Sequence, residues 1–430
     1  MITSLRLKNF KNFADETLRM GPFTVIVGAN ASGKSNIRDA FRFLHGIGRG
    51  YRLAEIIGGK YGAGGQVEWE QIRGAVDEVI RMGKSSCSLG VTMQPFFTGT
   101  RKKSHYYNIR VKQKRDSSTF SVSGEKFTAG RAAVYTSHPA HGDPVRDQGD
   151  ETHLLLRMAK TGDQRKYGNR ISARHDQPAL TQIAEHKRVV QRQKAIVSSA
   201  INQLNDMRFL DLSPASLRKP AFPGQTILGD SGENLPTVLK EICENPKRRR
   251  ALIEWTRELT PMDIRDFAFP TDQTTGHIQL AFKETSGKTV SAYSASDGTL
   301  RFLAMLAALL GKSPARLYVF EEIDNGIHPS RLRLLLDLIE RQTAKGNIQV
   351  VTTTHSPDLL SMISNKTFEH TSVVCRNPDT DEAVIRPISE LPNANKLKAS
   401  QGLGRLHTGG WLETAVWFSE GKAANKGNEE

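Results

Sequence analysis

Cysteine is scarce in this chain. Only Cys87, Cys243 and Cys375 occur in 430 residues, and they lie far apart. They offer neither a metal-binding spacing nor a disulfide framework, so a reducing, cytoplasmic compartment is expected. Long apolar runs are also missing. None approaches the ~20 residues that a membrane helix needs. With 38% hydrophobic residues and a mean hydropathy of −0.44, a soluble protein is expected. The opening Met1-Ile2-Thr3-Ser4-Leu5-Arg6-Leu7 lacks the core of a signal peptide and reads as a first strand. No internal repeat is visible.

Acidic residues are outnumbered. The net charge of +15 points to a polyanionic partner, with nucleic acid the natural choice. Three stretches concentrate the charge. Arg101-Lys102-Lys103 is followed by Arg110, Lys112, Lys114 and Arg115; Lys247-Arg248-Arg249-Arg250 forms a second run; Lys187, Arg188, Arg192 and Lys194 lie on a predicted helix.

Gly28-Ala29-Asn30-Ala31-Ser32-Gly33-Lys34-Ser35 matches G-x-x-x-x-G-K-[ST] at every fixed position. It follows an apolar strand, Phe23 to Val27, and precedes a helix beginning near Asn36. Gly28 and Gly33 let the backbone wrap closely around phosphate oxygens. Main-chain N–H groups and the start of the helix face the anion. Lys34 reaches the β- and γ-phosphates, and the Ser35 hydroxyl suits Mg²⁺.

Elsewhere the pattern is less regular. Cys87 to Phe97, Tyr106 to Lys114 and Thr119 to Ser123 read as short strands. Ala129 to Gln177 reads as an irregular insertion interrupted by a helix over Thr152 to Ala159. A long helix is predicted over Ala179 to Met207, another from Asn234, and a strand over Ile278 to Phe282. The tail after Gly421 is polar and is expected to be disordered. His138, His141 and Asp143 offer three potential metal ligands, but Pro139 and Gly142 make a plain loop the better reading.

Three further motifs follow. Leu317-Tyr318-Val319-Phe320 is an apolar strand ending in Glu321 and Glu322, one suited to Mg²⁺ and the other to activating water. Ile348 to Thr354 is a second buried strand, ending at His355. Ser294-Ala295-Ser296-Asp297-Gly298-Thr299 opens an apolar helix.

In this order the segments resemble the ATP-binding-cassette ATPase heads of the RecF, SMC and OLD superfamily. The likeness is greatest to the single-chain bacterial "predicted ATPases" of antiviral defence operons. It covers roughly residues 1–125 and 206–412, including the opening Ile2-Thr3-Ser4-Leu5-Arg6-Leu7-Lys8-Asn9-Phe10-Lys11-Asn12-Phe13, which looks like the family's first strand and turn.

The resemblance implies an α/β phosphate-loop ATPase head with a mixed sheet, a helical signature lobe and an inserted segment. Its domains would be 1–125 and 206–412 for the head, 126–205 for the insertion and 413–430 for a tail. Gly28, Asn30, Ser32, Gly33, Lys34, Ser35 and Asn36 would hold ATP, with Ser35 and Glu321 on Mg²⁺. Ser296 and Gly298 would form the signature that touches ATP on a second subunit. Glu322 would be the catalytic carboxylate, Asp324 the D-loop acid and His355 the switch histidine. Gln66 and Gln71 are candidates for the Q-loop.

The resemblance further implies a homodimer or higher homo-oligomer, an effector partner from the same operon, and DNA, but no membrane. The alternatives are a RecF-type repair ATPase, an OLD-type nuclease and a transporter ATPase. The nuclease is disfavoured by the absence of an E…DxD array after His355. The transporter is disfavoured by the insertion and the basic charge. ATP is favoured over GTP because N-K-x-D is absent: Asn365-Lys366 leads into Thr367-Phe368.

Overall fold

A computed structural model describes residues 1–94, 104–114, 119–137, 153–160, 163–260, 262–377 and 380–427. The chain opens with strands β1 (Ile2–Phe10), β2 (Phe13–Arg19) and β3 (Phe23–Val27), then helix α1 (Lys34–Gly48). It divides into two compact units. The first comprises residues 1–21, 28–207 and 372–387, and the second 22–27, 208–371 and 388–430.

The first unit is built on a mixed sheet. Strands β4 (Ser86–Met93), β5 (His105–Gln113), β6 (Phe120–Ala129), β7 (Ala132–Thr136), β8 (His153–Lys160) and β9 (Asp163–Arg174) pair antiparallel in succession. β4 also pairs with β1, and β1 with β2. A C-terminal hairpin, residues 372–376 with Ala383–Pro387, joins β2 in parallel at Ala383 and Phe13. Period-two alternation sorts the side chains. Leu5, Val91, Tyr107, Phe127 and Tyr135 stand in register on one face and are buried. Helices α2 (Ala179–Glu185) and α3 (Gln191–Asn205) also belong to this unit, and α3 packs on α1. Glu125, fully buried on β6, ties α2 to the sheet. It accepts from Tyr107 (3.0 Å), Tyr135 (2.7 Å) and the backbone N–H groups of Ala179 (2.7 Å) and Leu180 (2.8 Å).

Several expectations are corrected here. The helix expected over Thr152 to Ala159 is strand β8, in which Leu154, Leu156 and Met158 are buried in alternation. Three consecutive leucines obscure that period, and pairing to both neighbours decides the conformation. The helix expected over Ala179 to Met207 is two, broken at 186–190, where the β-branched pair Val189-Val190 meets the second start. Lys187 and Arg188 therefore lie between helices. The boundary expected at 125/126 falls inside β6, and 126–205 continues the same unit. The tail expected from 413 is helical, within Trp411–Gly427. His138, His141, Asp143, Arg101-Lys102-Lys103 and Arg115 lie outside the described residues.

In the second unit, β10 (Leu317–Phe320) and β11 (Gln349–Thr354) run parallel to each other and to β3. The strands are buried along their whole length, as parallel strands covered on both faces are, although β3 carries Thr24 and β11 carries Gln349 and three threonines. Helices α4 (Asp297–Leu310) and α5 (Pro329–Ala344) flank the motifs. Leu235–Glu244 and Pro246–Leu259 pack on α4. The strand expected at Ile278 to Phe282 spans Ala281–Glu284, between Ile264–Ala268 and Thr289–Ser291. Among the described residues, no helix is long and apolar enough to cross a membrane.

Candidate active site

The phosphate loop begins where β3 ends, since Gly28 directly follows Val27. Its geometry is tight. A Cβ at Gly28 would lie 2.2 Å from the Val374 carbonyl oxygen, and Gly33 adopts φ +112°, a region that other residues avoid. α1 starts at Lys34 with no side-chain cap and no acid in its first turn. Its first N–H groups and the positive end of its dipole are thus left to an anion.

Lys34 is buried and its Nζ donates back to the carbonyls of Gly28 (2.5 Å) and Ala29 (2.7 Å). The Ser32 hydroxyl is buried with no hydrogen-bond partner, so the loop contains a polar group awaiting a ligand. Asn30 and Ser35 are exposed. Asn36 donates through Nδ2 to Asn12 Oδ1 at 2.7 Å. Cradle, bare helix start and orphaned hydroxyl all fit a nucleotide phosphate.

Asn12 is a residue that motif reading passed over. It belongs to the β1–β2 turn, and its amide nitrogen would stand 2.9 Å from a Cβ at Gly33. Its place in Lys11-Asn12-Phe13 was the available signal. Gln66 and Gln71 are both exposed, at the short pair Lys60–Tyr61 and Val67–Trp69.

In the second unit the parallel register aligns the strand ends. Val27 stands beside Thr354, and Phe320 beside Thr352. Glu321 and Glu322 are therefore delivered to the carboxyl edge of this sheet, as is His355. Glu322 has φ +48°, strained for a residue with a side chain. Its backbone N–H donates to Thr353 Oγ1 at 3.2 Å, and its Oε1 lies 3.3 Å from His355 Nδ1. The carbonyl of His355 is in turn 3.2 Å from His407 Nε2, a partner that no motif announced. Asp324 is mostly buried, with one carboxylate oxygen lacking a partner. Burial raises its pKa, against a hydrogen bond from Thr354.

The signature segment lies in the same unit. Ser296 is the N-cap of α4 and accepts from the Thr299 N–H at 3.2 Å. Gly298 packs against the D-loop, where a Cβ would stand 2.2 Å from the Gly326 carbonyl oxygen. Arg301 donates to the Asn325 carbonyl at 3.2 Å. Asp297 is paired with Arg218 at 2.7 Å. A cavity of about 400 Å³ opens beside them, lined by Ser296, Gly298, Thr299, His328 and Arg331 among others. Gly298→Ala should therefore disturb the D-loop. Overpacking of this kind costs about 1–3 kcal/mol. We expect a lower melting temperature and a turnover reduced about tenfold or more; unchanged values for both would show that the contact is slack.

The comparisons with known proteins bear on the whole. The family described as "AAA domain, putative AbiEii toxin, Type IV TA system" matches residues 152–361, and the "AAA ATPase domain" family matches residues 1–48. Both matching families are AAA ATPase domains, and the chain is similar to them over those two segments, one holding the phosphate loop and the other the acidic strand.

An "ATP/GTP phosphatase" of Helicobacter pylori (strain ATCC 700392 / 26695) is 30% identical to this ATPase over 159 residues, 34% of this chain and 40% of that protein. The match thus spans less than half of the relative. An SMC head bound to the C-winged helix domain of ScpA superposes with a TM-score of 0.50 at 16% identity, covering 90% of this chain and 99% of that one; this likeness is one of fold. A Smc head domain with an extended coiled coil, bound to the C-terminal domain of ScpA derived from Pyrococcus furiosus, has a TM-score of 0.47 at 13% identity, covering 93% and 98%. The mixed α/β head expected from the motifs is the fold of this ATPase.

Proposed function

We propose that this ATPase hydrolyses ATP with Mg²⁺ at composite sites formed by two copies meeting head to head. Closure then gates DNA binding or an effector protein, in bacterial antiviral defence. The carrying observation is the contact between Glu322 and His355 at 3.3 Å, with Glu322 held in a strained backbone at a strand end.

Lys34 and the first N–H groups of α1 hold the β- and γ-phosphates. Ser35 and Glu321 would hold Mg²⁺, which would supply neutralisation of charge on the transferring phosphoryl group. Glu322 orients the attacking water and accepts its proton; His355 fixes that carboxylate and faces the γ-phosphate. Asp324 belongs to the loop that carries the subunit contact. Ser296 and Gly298 complete the site of the other subunit.

The toxin named in the matching family's description supports the defence reading over RecF-type repair. A nuclease or toxin gene beside this one would favour it further, and a replication cluster would oppose it.

The shared site is tested by mixing. Ser296→Arg puts bulk and charge at the subunit contact, while the phosphate loop stays intact. Losing the cap costs about 1 kcal/mol, which the fold tolerates. The variant is expected to bind ATP without hydrolysing it. Combining it with Lys34→Ala should restore a fraction of wild-type turnover, because one site of the mixed dimer pairs an intact loop with an intact signature. Full hydrolysis by a strictly monomeric Ser296→Arg protein would falsify the shared site.

A further inference from the structure

The sheet of the first unit has one apolar, buried face. Its other face is predominantly basic. A single row of directly opposed residues crosses it: Arg6, Gly90, Asn108 and Lys126, on β1, β4, β5 and β6. The same row continues through Thr136 and Arg157 to Arg170 on β9. It contains neither an acid nor a large apolar side chain. The adjacent row adds Lys8 and Arg110, with Lys112 two residues along β5. Directly opposed residues point to the same side of a sheet, and Arg6, Lys8, Arg110, Lys112, Lys126 and Arg170 are all exposed. The acid on the β1–β2 part of this face is Asp15, which pairs with Arg6 at 2.7 Å and with Lys8 at 3.5 Å.

Arg110 and Lys112 come from the first charge run noted in the sequence, whereas the run at 247–250 is not part of this surface. In the run at 247–250, Arg248 faces Glu241, Arg249 pairs with Asp266, and Arg250 pairs with Glu254. Those cations are largely neutralised by their neighbours. The cations of the sheet face come from strands remote in sequence and assemble only through register.

We propose that this exposed sheet face is a docking surface for the phosphate backbone of duplex DNA. This rests on DNA being a partner of the ATPase. The size fits. From β1 to β9 there are six strand spacings of ~4.8 Å, or about 29 Å. Duplex DNA presents one charge per ~1.7 Å of its axis, so a segment of that length offers many phosphates to the row. Among the polar members, Asn108 suits phosphate oxygens and carries no base information, while Thr136 in the same row is buried. Binding is therefore expected to be independent of sequence.

The test uses the full chain and a labelled mixed-sequence duplex of about 30 base pairs, longer than the ~29 Å row. Affinity is measured from roughly 50 to 200 mM salt, with a nonhydrolysable ATP analogue. The triple variant Arg110→Gln/Lys112→Gln/Lys126→Gln removes three exposed charges. A charge-matched control changes Lys187, Lys247 and Arg250 to Gln. Each phosphate contact contributes about 0.9 to the slope of log affinity against log salt, so the face variant should lower its magnitude by about three. Affinity should fall at least tenfold at low salt, with ATP turnover in the absence of DNA unchanged; the control should stay within about twofold of wild type. Equal losses in both triples, or no loss in the face variant, would overturn the surface. So would tighter binding of duplex RNA than of duplex DNA. If the wild type binds no duplex at low salt, the surface falls with the DNA partner, while turnover in the same samples reports separately on the ATPase reading.

Discussion

Glu322→Gln should bind ATP and hydrolyse it about 10²–10⁴-fold more slowly than wild type, the usual contribution of a positioned general base. The amide keeps the side chain's length but cannot accept a proton from water. Two features favour this position over its neighbour as the proposed base. Glu322, not Glu321, contacts His355, and Glu322 has the strained backbone, φ +48°. Strain of this kind costs about 1–3 kcal/mol and persists where surrounding structure imposes it. Slow hydrolysis should accumulate the closed, two-copy state, seen as a doubled mass with ATP. Glu321→Gln should instead weaken the dependence on Mg²⁺ without trapping ATP. If the two variants behave the other way round, the roles are reversed.

Lys34→Ala should reduce turnover at least about 10²-fold, in the range seen when one donor to developing charge is removed. In the structure this amine bonds two carbonyls of its own loop, Gly28 and Ala29. The variant leaves both carbonyls without that donor, and ATP affinity should fall as well. A thermal melt separates loss of chemistry from loss of fold, and turnover equal to wild type would refute the assignment.

Motifs bounded by buried parallel strands were the legible part of this chain. Phe23–Val27 and Leu317–Phe320 are continuous apolar runs, and each has the bounds that its composition suggested. The phosphate loop and the acidic pair follow because chain continuity places them at strand ends. His355 was legible for the same reason, but its contact with Glu322 was not, since that depends on register between β10 and β11. The antiparallel strands were harder. Their side chains alternate, yet the run Leu154-Leu155-Leu156 hides the period, and β8 read as a helix. Charge was read worst. In the run at 247–250 the three arginines proved to face acids, whereas the basic sheet face joins Arg110 and Lys112 of the first run to residues of other strands. Asn12 stood in the resembling opening without a role, and its bond to Asn36, like the contact of His407 with His355, is visible only once the chain is folded.

Glu125 bears on how separable the parts of this protein are. Residues 126–205 look like an insertion that might be lifted out of an ATPase head. Yet a carboxylate just before that segment is fully buried, and three of its four donors come from within it: Tyr135 and the amides of Ala179 and Leu180. Burial pushes its pKa up, and those hydrogen bonds pull it back down. Excising the segment would leave this acid in an apolar interior with only Tyr107 to answer it. Unsatisfied buried acids are among the costlier defects a fold can carry. Within the first unit, residues 126–205 are thus part of the fold's interior rather than a detachable attachment.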